Sequence, residues 1–270
     1  MCGRIRREDP LVRDDVAMSR PFVLAQLSDP HIGAEWVDED PGALLAAAVA
    51  AVRSMRPRPD AVLVSGDLAE NATDAEYERV RELFAPLQAP LYVLPGNHDD
   101  RRALRRHFGV PGTGGDPIQY SVDLGALRLV VLDTTRPGED PGALDAGRLG
   151  WLDAELAAPP QLPTLVAMHH PPLVIGAPAW DEIGLPAADR RALGEVVARH
   201  RQVRRFVAGH VHRPITGELA GRPVLAVPST YVQARLNLGA EEIEFSAEPA
   251  GFAVHALLDG ELISHVQPVV

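Results

Sequence analysis

Five short segments of this chain end an apolar run with side chains that can bind a metal ion or carry a proton. "PFVLAQLS" (21–28) leads into Asp29 and His31, and "AVLVSG" (61–66) into Asp67. "LYVLP" (91–95) leads into Gly96-Asn97-His98-Asp99, "TLVAM" (164–168) into His169 and His170, and "RRFVAG" (204–209) into His210 and His212. Imidazoles, carboxylates and an amide carbonyl suit first-row metals such as Fe, Mn, Zn or Co. A carboxylate has two oxygens and can bridge a pair of ions. Taken singly, these residues are ordinary. A strand-end Asp is usually a turn former or a helix cap, and a lone His is more often a partly buried hydrogen-bonding residue. The combination Gly-Asn-His-Asp is rarer, at about one chance in a thousand, because Asn occurs only three times. A turn explains Gly96, which permits a sharp reversal at the strand end. It does not explain His98.

The elements that must position these residues alternate. Apolar runs at 21–28, 61–66 and 91–95 read as buried strands. Between them, 41–55 reads as an Ala-rich helix with Pro at its start, and 73–87 as a second helix. Thr73 and Glu76 there form a capping box. Residues 188–200 read as a further amphipathic helix, and Asp99 and Asp100 as caps of a helix over "DDRRALRRHF". Further apolar runs at 127–133, 164–168, 204–209, 223–228 and 252–258 fit interior strands covered on both faces. The expectation is a layered α/β domain with a mixed sheet or two packed sheets. In open α/β sheets ligands bind beyond the carboxyl ends of the strands, where all five polar segments fall. "GVPGTGGD" (109–116) lacks the Lys-Ser/Thr ending of a P-loop and reads as a surface loop.

Composition narrows the function. Net charge is −11 and the pI about 5.3, a poor match to a polymeric nucleic-acid backbone. The single cysteine, Cys2, excludes an intramolecular disulfide and a thiolate-rich metal site. No apolar run reaches the 18 or so residues of a membrane helix. Residues 1–20 are mixed in charge and read as a flexible tail without a signal peptide, ahead of a single domain over 21–270. The expected location is the cytoplasm. His107, His200, His255 and His265 follow no such pattern and read as structural.

At Asp29-Pro30-His31, Gly66-Asp67, Gly96-Asn97-His98-Asp99, His169 and Gly209-His210-Val211-His212, the chain resembles the calcineurin-like metallophosphoesterases, complete and in order over about residues 22–213. "DEIGL", "VPSTYVQ" and "PAGFAVHALLDG" are more loosely similar to bacterial class III 3′,5′-cyclic-nucleotide phosphodiesterases and related glycerophosphodiesterases. The resemblance implies a four-layer αββα sandwich of two mixed sheets, the C-terminal part supplying cap or second-sheet elements. It implies two divalent or mixed-valence metals, one held by Asp29, His31, Asp67 and His212, the other by Asp67, Asn97, His169 and His210, with Asp67 bridging. His170 is expected to support the ligands rather than bind. A homodimer or larger homo-oligomer is the implied assembly.

The chemistry fits these residues. A phosphodiester anion repels hydroxide, and two metals about 3.5–4 Å apart neutralise charge, provide a nucleophile near neutral pH and stabilise the leaving oxygen. Two divalent ions, two carboxylates and a bridging hydroxide leave formally about one positive charge, which matches a singly charged diester. Asp67 and His98 are the expected catalytic residues, and Asn97 and His98 the expected substrate contacts. His98 would donate to a phosphoryl oxygen or protonate the departing alkoxide. The leading expectation is hydrolysis of small phosphodiesters, 3′,5′-cyclic nucleotides first, by a metal-bridging hydroxide. Glycerophosphodiesters, 2′,3′-cyclic nucleotides and monoesters share the metal chemistry and stay open. So do a nuclease and a non-catalytic scaffold. Few aromatics (5%) point to no base-stacking platform.

Overall fold

The computed structural model describes residues 20–158 and 162–269. Its elements run β1 (Phe22–Leu27), α1 (Pro41–Ser54), β2 (Ala61–Val64), α2 (Asp74–Phe84), β3 (Leu91–Val93) and α3 (Arg101–Phe108). Then come β4 (Tyr120–Asp123), β5 (Arg128–Val131), α4 (Ala146–Ala157), β6 (Thr164–Ala167), α5 (Pro178–Glu182), α6 (Ala187–Val197) and β7 (Val203–Ala208). The last are β8 (Ile215–Leu219), β9 (Arg222–Ala226), β10 (Gln233–Ala234), β11 (Phe245–Ser246), β12 (Gly251–Leu258) and β13 (Glu261–Pro268). The tail expected over 1–20, with Cys2, lies outside the described residues except for Arg20.

Two mixed sheets form. The first runs β13-β12-β1-β2-β3, parallel from β1 to β3, with β12 and β13 antiparallel beside β1. The second runs β4-β5-β6-β7-β9-β8, parallel from β5 to β9 with an antiparallel strand at each edge. Side-chain alternation along the central strands sets the layers. Leu129, Val131, Leu165, Ala167 and Val207 point into the core shared with the first sheet. Their neighbours Val130, Leu132, Val166, Met168, Phe206 and Ala208 pack with Leu152 of α4 and Leu193 of α6. Leu45, Tyr77 and Leu104 bring α1, α2 and α3 into the first core. The order of layers is therefore helix, sheet, sheet, helix, as expected.

Local chemistry starts the helices where the sequence suggests. Asp40 accepts from Gly42 N and Ala43 N ahead of Pro41, and Thr73 and Glu76 complete the capping box of α2. Asp100 caps α3 through Ala103 N, and Gly109 ends it in the left-handed region. Residues 109–116 are mostly exposed and form neither helix nor strand. The parallel strands of both sheets end on one edge. There Asp29 N bonds to Gly66 O, His31 N to Asp67 O, and Gly209 N to His169 O.

Candidate metal centre

The backbone at this edge is strained. Asp29, His31, Asp67, His210 and His212 all have positive φ, between 43° and 69°, in the left-handed region. Among the described residues only Ala72, Ala220 and Asp259 are other non-glycine cases. Each such residue costs about 1–2 kcal/mol. Such strain gathers at functional sites, where the surroundings hold it in place. Two glycines let the strand ends close on one another. A Cβ on Gly66 would sit 2.3 Å from His169 Nδ1, and one on Gly96 would sit 2.0 Å from Asp67 Oδ1. Gly96 opens the expected turn, its carbonyl accepting from Asp99 N at 3.1 Å, without a positive φ. It is glycine because the Asp67 carboxylate lies against its Cα.

The tautomers of four histidines can be read from their outer partners. His31 Nδ1 lies 2.8 Å from Glu70 Oε2, and His212 Nδ1 2.9 Å from Val232 O. His169 Nδ1 lies 2.8 Å from Ser65 O, and His210 Nε2 3.1 Å from Ile183 O. These partners only accept, so each ring donates outward and, when neutral, keeps a lone pair on its other nitrogen. All four lone pairs face inward, towards other acceptors. His31 Nε2 is 3.1 Å from His212 Nε2. His169 Nε2 is 3.0 Å from Asn97 Oδ1 and 3.2 Å from Asp67 Oδ2. His210 Nδ1 is 3.1 Å from Asn97 Oδ1. Acceptors converging at this range repel unless a cation lies among them, and the outward bonds match the support that metal-binding imidazoles receive. The donor set fits two metals: Asp29, His31 and His212 gather on one side, Asn97, His169 and His210 on the other, with Asp67 within reach of His31 (3.5 Å) and His169.

Burial sets the protonation. It lowers His31, His210 and His212, the last to about 4. Burial also opposes a proton on His169, but Asp67 and then Asp29 raise that ring to about 9, so without a metal its inward Nε2 takes up the proton that a metal would displace. Burial works against the Asp67 anion too, yet the neighbouring His169 holds its carboxyl well below the usual range. Asp29 is raised by burial, against the pull of His212 and His169. The pocket thus holds buried anions whose nearest cation is one shared proton, the imbalance a bound metal removes.

His170 is not arranged as a ligand. Its Nε2 lies 2.9 Å from Asp140 O, which can only accept, and its Nδ1 lies 2.8 Å from Thr134 Oγ1. Both nitrogens are engaged, so no lone pair remains for a metal although the ring is close to His169 and His210. His98 is placed differently. Its backbone N donates to Asp67 Oδ1 at 2.9 Å, and its Nδ1 lies 3.2 Å from Glu70 O. Burial opposes its proton, while Asp67 and Glu70 outweigh this and raise its pKa. Asp99 corrects the sequence reading: it does not cap α3. It is buried and accepts from Leu68 N, Ala69 N, Gly96 N and Tyr77 Oη, tying two ligand loops together.

Several residues at the site carry no sequence signal. Glu70 holds His31 and also accepts from Trp36 Nε1 at 3.2 Å. A cavity of about 220 Å³ opens over Asp67, Asn97, His98 and His210, and Trp36, Asp140, Trp180 and Phe245 help to form its walls. Trp36 stacks on Phe245 with centroids 5.3 Å apart and planes at 5°. Low aromatic content was a poor guide, because a composition does not say where the rings gather. Three of the four histidines read as structural are hydrogen-bonded, His107 to Asp74, His200 to Asp153, and His255 to Gln26 and Ser264, while His265 is exposed on β13.

Residues 22–214 match the family model described as calcineurin-like phosphoesterase. The chain is 35% identical over 221 residues to a Pseudomonas aeruginosa protein named 3′,5′-cyclic adenosine monophosphate phosphodiesterase CpdA, covering 80% of this chain and 79% of that one. It is 32% identical over 222 residues to the glycerophosphodiester phosphodiesterase GpdQ of Enterobacter lignolyticus, covering 78% of each. Among solved structures it is similar to a dimetal phosphatase of Danio rerio, with a TM-score of 0.71 at 19% identity over 93% of this chain and 98% of that one.

Proposed function

The chain belongs to the calcineurin-like phosphoesterases, a metal-dependent hydrolytic family, and on that premise we propose a dinuclear-metal phosphodiesterase acting on small diesters, 3′,5′-cyclic nucleotides first among them. The observation that carries this reading is the convergence of four imidazole lone pairs with Asp29, Asp67 and Asn97 at one strand edge. A pair of divalent metals held there would neutralise the substrate's anion and make water nucleophilic near neutral pH. The rest falls to the chain's own residues. Asp67 reaches both halves of the site and also fixes the loop of His98 through that residue's backbone N–H. His98 keeps Nδ1 on the Glu70 carbonyl and presents Nε2 to the substrate, where it protonates the departing alkoxide.

The walls of the cavity favour a nucleotide over a glycerol diester. Trp36, Phe245, Trp180 and Ile183 offer flat apolar surface beside the reacting centre, which suits a base and its ribose. The glycerophosphodiester reading is supported by relatives named GpdQ and by the same segments that resemble the cyclic-nucleotide enzymes. A hydrolysis panel with added Mn²⁺ tests the assignment, using 3′,5′-cAMP, 2′,3′-cAMP, glycerophosphocholine and 5′-AMP. The cyclic 3′,5′-diester should be turned over with the highest kcat/KM. A strong preference for the monoester overturns the reading.

A further inference from the structure

We propose that the Asp140 carboxylate, on the rim of the metal pocket, makes the site selective for diesters by repelling the second negative charge of phosphomonoesters, its own products among them. This rests on the dinuclear reading and adds the basis of its substrate charge selectivity. Asp140 Oδ1 lies 3.5 Å from Asn97 Nδ2, while Oδ1 of the same amide faces His169 and His210. One amide group therefore separates the Asp140 carboxylate from the candidate metal position. The residue is exposed and lines the mouth of the cavity. It is not a loose surface charge. Its backbone carbonyl accepts from His170, which Thr134 holds in turn, and Ala143 N closes the loop onto Thr134 O at 2.8 Å.

The remaining charges at the mouth leave Asp140 unbalanced. Among the described residues no arginine lines the cavity, and the chain has no lysine. The nearby arginines have partners of their own: Arg136 pairs with Glu139, Arg213 with Glu248, and Arg101 with Asp133. Glu70 adds a further carboxylate behind His31. Two divalent ions bring formally about four positive charges. Asp29, Asp67, a hydroxide, Glu70 and Asp140 offset them, so the local balance sits near or below neutral before substrate arrives. A singly charged diester is tolerated there. A monoester, with a second pKa near 6, brings one more charge, and among the described lining residues only His98, which serves the leaving oxygen, is poised to meet it with a cation. The same repulsion expels the monoester that hydrolysis leaves behind.

The test compares Asp140→Asn, Asp140→Lys and Asp140→Glu with the wild type, all metal-loaded. The ratio of kcat/KM for bis-p-nitrophenyl phosphate to that for p-nitrophenyl phosphate should fall about tenfold in Asp140→Asn, the effect of one charge at roughly 6 Å through an effective dielectric of about 40. It should fall further in Asp140→Lys and stay near wild type in Asp140→Glu. Calorimetric titration with 5′-AMP supplies a readout independent of turnover, with tighter binding expected in Asp140→Asn by a similar factor. An unchanged ratio and unchanged AMP affinity in Asp140→Asn overturn the proposal. So does an Asp140→Glu protein that behaves like Asp140→Asn, since shape would then be the cause. Failure of the dinuclear reading looks different: the wild type would bind no metal and hydrolyse neither ester.

Discussion

The Nε2 atoms of His31 and His212 lie 3.1 Å apart, and neither has a hydrogen to offer the other. Each ring spends its N–H on an outer acceptor, Glu70 for His31 and the Val232 carbonyl for His212. Two buried lone pairs at that distance are tolerable only if a cation takes both.

Metal removal should therefore destabilise the protein as well as silence it. Binding that is specific to the folded state adds about 2.7 kcal/mol when the free metal is at a hundred times its Kd. For a chain of this size that amounts to roughly 5–10 °C in melting temperature. Melting before and after dialysis against a chelator, then after Mn²⁺ is returned, checks it. Identical curves in all three samples would count against any metal at this edge.

His98→Ala should lower kcat on a diester by about 10²–10⁴-fold, the usual range for a general acid. Metal content, read by elemental analysis, should stay at wild-type level, because the contact of His98 with Asp67 is made by its backbone N–H, which the substitution keeps. Glu70→Gln should give the opposite pattern. It loosens the support of His31, and loss of such support typically weakens metal binding by about 10–100-fold.

Phe245→Leu should raise KM for 3′,5′-cAMP by about 5–100-fold, since base–aromatic stacking contributes about 1–3 kcal/mol per base. Turnover of glycerophosphocholine, which has no planar group, should change little. Phe245 touches Trp36 and the His212 ring but makes no hydrogen bond to the ligands. Equal losses on both substrates would exclude a base platform here.

His255 should impose an acid-side slope on stability. Burial, reinforced by Arg205, lowers its pKa to about 3. The folded ring stays neutral while the unfolded one takes up a proton below about pH 6.5, its ordinary value. The stabilising contribution is therefore present above pH 6.5 and is lost as pH falls, at about 1.4 kcal/mol per pH unit down to about pH 3. Urea unfolding at several pH values, compared with His255→Gln, isolates this ring from the other histidines. Parallel slopes in the two proteins would refute it.

The candidate metal-binding positions were legible in the sequence because their gathering depends on chain order. Each follows an apolar run, and parallel strands in a layered α/β fold end on a common edge. Hence Asp29, Asp67, His169 and His210 could be placed together before any coordinates, and Thr73 and Glu76 could be read as a cap. Local spacing misled at Asp99. It looks like a neighbour of the Asp100 cap, yet its carboxylate turns back to the amides of Leu68 and Gly96.

Other features depend on contacts with no fixed offset along the chain. Trp36 meets Phe245 only because β11 is brought against the loop that follows β1, and Asp140 meets Asn97 only because the loop after β5 leans across from the second sheet. The sequence by itself determined which atoms could bind metal and on which edge they would gather. Only the tertiary structure decided which nitrogen of each histidine turns inward, which carboxylates stand behind the ligands, and what walls the mouth. Those depend on carbonyls and side chains supplied by distant segments, whose positions follow from packing rather than periodicity.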